Sequence, residues 1–184
     1  MAAFVDKGNR LYNVDDRDRV KRLTDVPQSD IGAPLPIVIA NEGYLGLLFY
    51  LSEPDPNWDG TYVNVVSTES NDMAIAIVEF QLPTTHTLGP PNDEAFSGHP
   101  LATRGLRPYA AFEIADSSWI RQLEIVNSVH PYHDRDRFMS DKRHFIFAFH
   151  DSVFECVARS YKIELTRGSL IRAALYATER LRDH

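Results

Sequence analysis

Two apolar runs, Pro36-Ile37-Val38-Ile39-Ala40 and Tyr44 through Leu51, flank the turn-forming residues Asn41-Glu42-Gly43. Two β-prone runs joined by so short a polar link predict a β-hairpin, with Gly43 available for a left-handed position. Pro54, Pro56 and Asp59-Gly60 then break the chain. Thr61–Ser67 and Met73–Leu82 read as two further strands, separated by Glu69-Ser70-Asn71-Asp72. Short strands joined in succession by tight turns predict an antiparallel meander.

The stretch from Pro83 to Pro108 is punctuated by proline and glycine and carries His86 and His99. It reads as a long structured loop, of the kind that more often serves function than a short turn does. Tyr109–Ala115 follows as a strand. Asp116-Ser117-Ser118 supplies capping oxygens ahead of Trp119, Leu123 and Val126, spaced i, i+4, i+7, which predicts a helix over about 118–128. Pro131 prevents it from continuing. A second hairpin is predicted from His144–Phe149 and Val153–Leu165 around His150-Asp151-Ser152, with arms apolar on both faces, as in well-covered strands. Past Arg167-Gly168, Ser169 opens a C-terminal helix whose expected stripe is Ile171, Ala174, Leu175, Thr178 and Leu181. Residues 6–25 mix charges of both signs over a poor helical stripe and read as a solvated arm or short surface helix. The expected fold is α+β in one domain: an antiparallel sheet of about six or seven strands with two helices on one face.

Composition narrows the class. With 184 residues, 43% of them hydrophobic and 24% charged, the chain has the make-up of a globular domain. The formal charge of −7 argues against a nucleic-acid binder, since affinity for phosphate backbones comes from clustered Lys and Arg. The run Tyr44–Leu51 is too short to cross a membrane, and Met1-Ala2-Ala3-Phe4-Val5-Asp6 lacks the basic and apolar regions of a secretory signal. Cys156 is the one cysteine, which rules out an intrachain disulfide and a cysteine-based zinc site. A cytoplasmic location is the default expectation. Asp15–Asp18 lacks the alternation, glycine and closing glutamate of a calcium loop.

No Walker loop, dinucleotide fingerprint, nucleophile elbow or HExxH is present. What remains is a neighbourhood rich in imidazole and carboxylate: His130, His133 and Asp134; Arg143-His144; His150-Asp151; and Glu155. His144 and His150 stand six positions apart along one strand, roughly 20 Å, and so cannot share an ion. His130 and His133 leave the predicted helix on irregular backbone, and His99 is held between Gly98 and Pro100. These three are the candidate ligands for a divalent metal. Alternatively, one of them acts as a base oriented by Glu155 or Asp134, which makes His130, His133 and Glu155 the catalytic candidates. His99, Tyr109, Tyr132 and Arg143 are the candidate ligand-binding side chains. Trp119 is better explained as the anchor of its helix, and His150-Asp151-Ser152 as a turn.

Cys156 shares a strand face with Phe154 and Ala158 and reads as a small buried hydrophobe. Glu155, between Val153 and Val157, must be exposed, paired or set in a cavity; Glu79 and Glu113 pose the same question on other strands. The leading expectation is a small cytosolic binding or regulatory protein that recognises a protein partner or small ligand. The alternative is a metal-dependent or His/Glu acid–base enzyme, its site formed by the 83–108 and 127–136 loops.

Overall fold

The computed structural model describes residues 12–54 and 65–182. Met1–Asp6, Pro56, Asp59-Gly60 and residues 61–64 of the expected Thr61–Ser67 strand lie outside the described residues, and its remainder, Val65–Ser67, is not in a strand. Among the described residues nine strands form two antiparallel sheets, and three α-helices complete an α+β fold. The first sheet has the order β1 (Arg19–Arg22), β6 (Ala110–Ala115), β7 (Arg143–Ala148), β8 (Val153–Ala158), β5 (Thr85–Gly89). The second has the order β2 (Ile37–Ala40), β3 (Leu45–Tyr50), β4 (Met73–Gln81), β9 (Ser160–Gly168). The helices are α1 (Ser118–Asn127), α2 (Arg135–Ser140) and α3 (Leu170–Glu179). Among the described residues no helix is long and apolar enough to cross a membrane.

The period-two rule explains why the sheets stack. Phe145 and Phe147 of β7, with Phe154, Cys156 and Ala158 of β8, meet Leu45, Leu47 and Phe49 of β3 and Ala76, Val78 and Phe80 of β4 in one buried cluster. Phe80 is its hub, with ring centroids 6.0, 5.8 and 5.5 Å from Phe145, Phe147 and Phe154. Both outer faces are covered as well. Leu170, Ala173, Ala174 and Ala177 of α3 pack on Leu48, Tyr50, Ile75 and Ile77. On the other side, Phe96, Leu101 and Leu106 cover Phe112, Ile114, Ile146, Ala148 and Val153, while α1 brings Trp119 and Ile120 over Val157.

Both predicted hairpins form. The first turn is held by the Asn41 side chain, which accepts from the backbone N–H of Gly43 and Tyr44 at 2.8 and 2.7 Å; the second is closed by Phe149 N–H donating to Ser152 at 2.8 Å. Several expectations are corrected. The sheet is two sheets, and α1 and α3 cover different ones. The charged arm contributes β1, which pairs with β6 from Arg19↔Ala115 to Arg22↔Phe112; an edge strand needs backbone partners, and only Val20 turns an apolar side chain toward the sheet. The second arm of the later hairpin divides at Arg159: β8 stays in one sheet and β9 crosses to the other. The 83–108 loop contains β5, whose Thr-His-Thr pattern hides a strand half-exposed along its length, and two short 3-10 turns. The second of these ends at Gly105, whose φ of 101° suits glycine. The stripe of α3 is rotated: alanines face the sheet, whereas Ile171 and Leu175 are 43% and 62% exposed. Small side chains allow the helix to lie close, and that close approach outweighs burial of the two larger ones.

Candidate functional site

Glu155 sits on the outer face of β8, opposite Ile146 and Thr87, where three separate segments converge on it. Tyr12 donates its hydroxyl to Oε2 at 2.5 Å. His144 of β7 lies 3.0 Å from Oε2 through Nε2. His99, carried over the sheet by the 96–104 turns, lies 3.2 Å from Oε1 through Nε2. The His99 tautomer follows from its other nitrogen: Leu101 N–H donates to Nδ1 at 3.1 Å, so Nε2 carries the hydrogen given to Glu155. Behind His144, Ser117 Oγ stands 2.9 Å from Nδ1, and the same oxygen caps α1 by accepting from Ile120 N–H at 3.4 Å. Asp18 holds the start of that helix too, accepting from Ser118 N–H at 2.7 Å. Trp119 stacks on Tyr12 with centroids 5.1 Å apart and meets the His144 ring edge-on at 5.1 Å.

The side chains of His144, His99 and Glu155 are 0%, 3% and 13% exposed. Burial alone would push the Glu155 carboxyl up, but hydrogen bonds from His144 and His99, the charge at His144 and the Tyr12 hydroxyl outweigh it and bring it down to about 2. Glu155 is therefore an ionised carboxylate satisfied by three donors. The Tyr12 phenol is raised by its own burial and then by Glu155 beside it. Ser117 Oγ, His144 and Glu155 stand in line at the spacings of a hydroxyl–imidazole–carboxylate relay.

The other candidates are distributed elsewhere. His133 bridges Glu124 at 3.0 Å and Asn127 at 3.0 Å, pinning the end of α1 to the following loop. His130 is exposed; its Nδ1 accepts from Tyr132 N–H at 3.2 Å, and Tyr132 is 89% exposed. The expected grouping of His99, His130 and His133 does not form: His99 is committed to Glu155, and among the described residues no three His, Cys, Asp or Glu side chains gather to hold a metal. His99 thus meets Glu155 across the sheet face, and the 127–136 loop supplies no partner to that pair. Asp134 caps α2, accepting from Arg137 N–H at 3.0 Å. Arg143 forks onto Glu113 at 3.1 and 2.5 Å, and Glu79 is held by Arg180 at 2.8 Å. The three strand glutamates therefore stand apart, Glu113 and Glu155 on opposite faces of one sheet. Cys156 is fully buried, and burial raises its thiol well above the ordinary range.

Tyr109, which donates to Asp93, also forms a wall of the cavity that opens at one end of the sandwich. An inner slot of about 60 Å³ runs between Leu23, Val26, Phe49, Ala111, Phe147 and Phe149. It adjoins a larger depression of about 460 Å³ rimmed by Arg22, Gln28, Arg107 and Tyr109. Neither lining includes an Asp or Glu. Arg107 points NH1 at the carbonyls of Ala102 and Leu106. Of this rim, sequence reading picked out only Tyr109; Arg22 was hidden in the charged arm, because its strand was not recognised. Tyr12 and Ser117 were likewise missed at the buried carboxylate, and neither has a local signal beyond the helix cap. No protein-family model, curated protein or solved structure matches the chain.

Proposed function

We propose that this protein is a binding protein for a small ligand with a short aliphatic body and an anionic end, held in the slot between the two sheets. One observation carries the reading: in a chain with 26 acidic and 19 basic residues, a slot that sets Leu23, Val26, Phe49 and Phe147 beside Arg22, Gln28 and Ser29 joins a rim with two arginines and no carboxylate. Its 60 Å³ exceeds the room one water needs and falls below the roughly 150 Å³ that takes benzene, which suits a short branched alkyl group. The adjoining rim gives a charged end solvent-facing donors. The test is ligand-observed NMR with a branched six-carbon carboxylate as probe. Wild-type protein should broaden its methyl signals; Ala111→Leu, which fills the slot, should abolish the effect. Equal broadening by wild type and Ala111→Leu would sink the reading.

A second reading rests on the line of Ser117, His144 and Glu155: a hydrolytic or acid–base centre. Against it, Ser117 is 2% exposed and its oxygen already caps α1. A serine-directed fluorophosphonate that labels Ser117 in native protein, and fails to label a Glu155→Gln variant, would establish this reading over the first.

A further inference from the structure

The nine residues of β9 form one edge of the second sheet and pair with β4 residue for residue, from Met73↔Gly168 to Gln81↔Ser160. Among the described residues no strand pairs along the other side of β9. Proteins usually blunt so long an edge with proline, a bulge or a charge turned inward. β9 has no proline, and its continuous register leaves no bulge. Its central charges, Lys162 and Glu164, share the α3 side of the sheet and are both exposed. On the opposite side stand Tyr161, Ile163 and Leu165, the last 59% exposed.

This order is self-complementary. If the strand is laid antiparallel on its own copy about a two-fold axis through Ile163, Lys162 of each copy faces Glu164 of the other. The same operation sets Tyr161 opposite Leu165 of the second copy, an aromatic–aliphatic pair. Moving the axis to Glu164 would place that carboxylate against itself, so the charges select one register. Within its own chain Glu164 accepts from Arg180 at 2.6 Å, but the same guanidinium also holds Glu79 at 2.8 Å, so the two carboxylates keep one charge for Lys162 of the second copy. Of the charges near the strand ends, Arg167 is answered by Glu53 and Arg159 by Asp141 at 2.8 Å.

We propose that the chain forms a two-fold dimer through β9, joining two four-stranded sheets into one of eight strands. The occupant of the edge is a second copy because the strand's charges complement themselves. In a sedimentation-equilibrium series the mass rises from 20.9 kDa toward twice that value with concentration. Lys162→Glu, which sets carboxylates opposite each other at two places, weakens the dimer by about tenfold; adding Glu164→Lys restores it. Far-UV circular dichroism verifies that each variant is folded. Ile163→Cys, at the axis, forms a disulfide-linked dimer on mild oxidation, whereas the wild type, whose Cys156 is buried, does not. A monomer persisting to about 1 mM, an undiminished dimer in Lys162→Glu, or no cross-link through Ile163→Cys overturns the proposal.

Discussion

At the scale of single residues, Glu155 carries the largest consequence. A buried carboxylate that loses its charge while its donors remain leaves two imidazoles and a phenol facing an amide, so Glu155→Gln should cost about 3 kcal/mol. The cost depends on pH with a definite sign. The folded-state value of about 2 lies below the ordinary 4.5, so the stabilisation is complete above pH 4.5 and is lost as pH falls toward 2. Urea midpoints of wild type and Glu155→Gln should therefore converge over that interval. A gap as wide at pH 2.5 as at pH 6 would show that the charge is not what stabilises the cluster. Part of this site was legible beforehand: Glu155 stood out as a carboxylate between two valines, and His99 as a ring on constrained backbone. Its partners were not. Tyr12 is 143 positions away in sequence, and His144 reaches Glu155 only through the pairing of β7 with β8, a register that the separation of His144 from His150 does not reveal.

At the scale of elements, the helices show where periodicity stops being informative. The limits of α1 and α3 agree closely with the expected ones, although only Ser117 caps its helix through the side chain; Ser169 stands at the N-cap of α3 without a side-chain hydrogen bond. The face each helix buries depends on what it packs against. For α3, the apolar residues spread round more than half the circumference, and the choice fell on the alanines. Ala174→Leu should then overpack the seam and cost about 2 kcal/mol, while Leu175→Ala, at a position 62% exposed, should change stability by less than about 0.5 kcal/mol. Chemical denaturation of the two variants checks this; the reverse order would mean that the helix lies on its other face. Strands were readable where both faces are buried, as in β3, β7 and β8, and unreadable where one side is polar, as in β1 and β5. Apolar runs signal burial, and these two edge strands have little of it, whereas the edge strand β2 is apolar throughout and could be read.

For the whole molecule, the α+β class and antiparallel pairing could be read from the chain, but the division into two sheets could not. Nothing local marks Arg159 as the place where one continuous apolar arm changes sheets; the change is imposed by the aromatic cluster, which needs β4 and β9 on one side and β7 and β8 on the other. The register of β9 has a further consequence for how the chain is made. Its partners on β4 lie between 79 and 95 positions earlier, from Gln81↔Ser160 to Met73↔Gly168, so during synthesis β4 waits with one side unsatisfied until β9 itself has left the ribosome. Until then the nascent protein presents Ala-Ile-Ala-Ile-Val, residues 74–78, as an open and strongly apolar edge. A chain ending at Ala158 should accordingly be retained by chaperones or precipitate, and addition of a synthetic peptide spanning residues 160–168 during refolding should recover soluble material. If the truncated chain stays soluble and monomeric unaided, that edge is not the vulnerable stage of its folding.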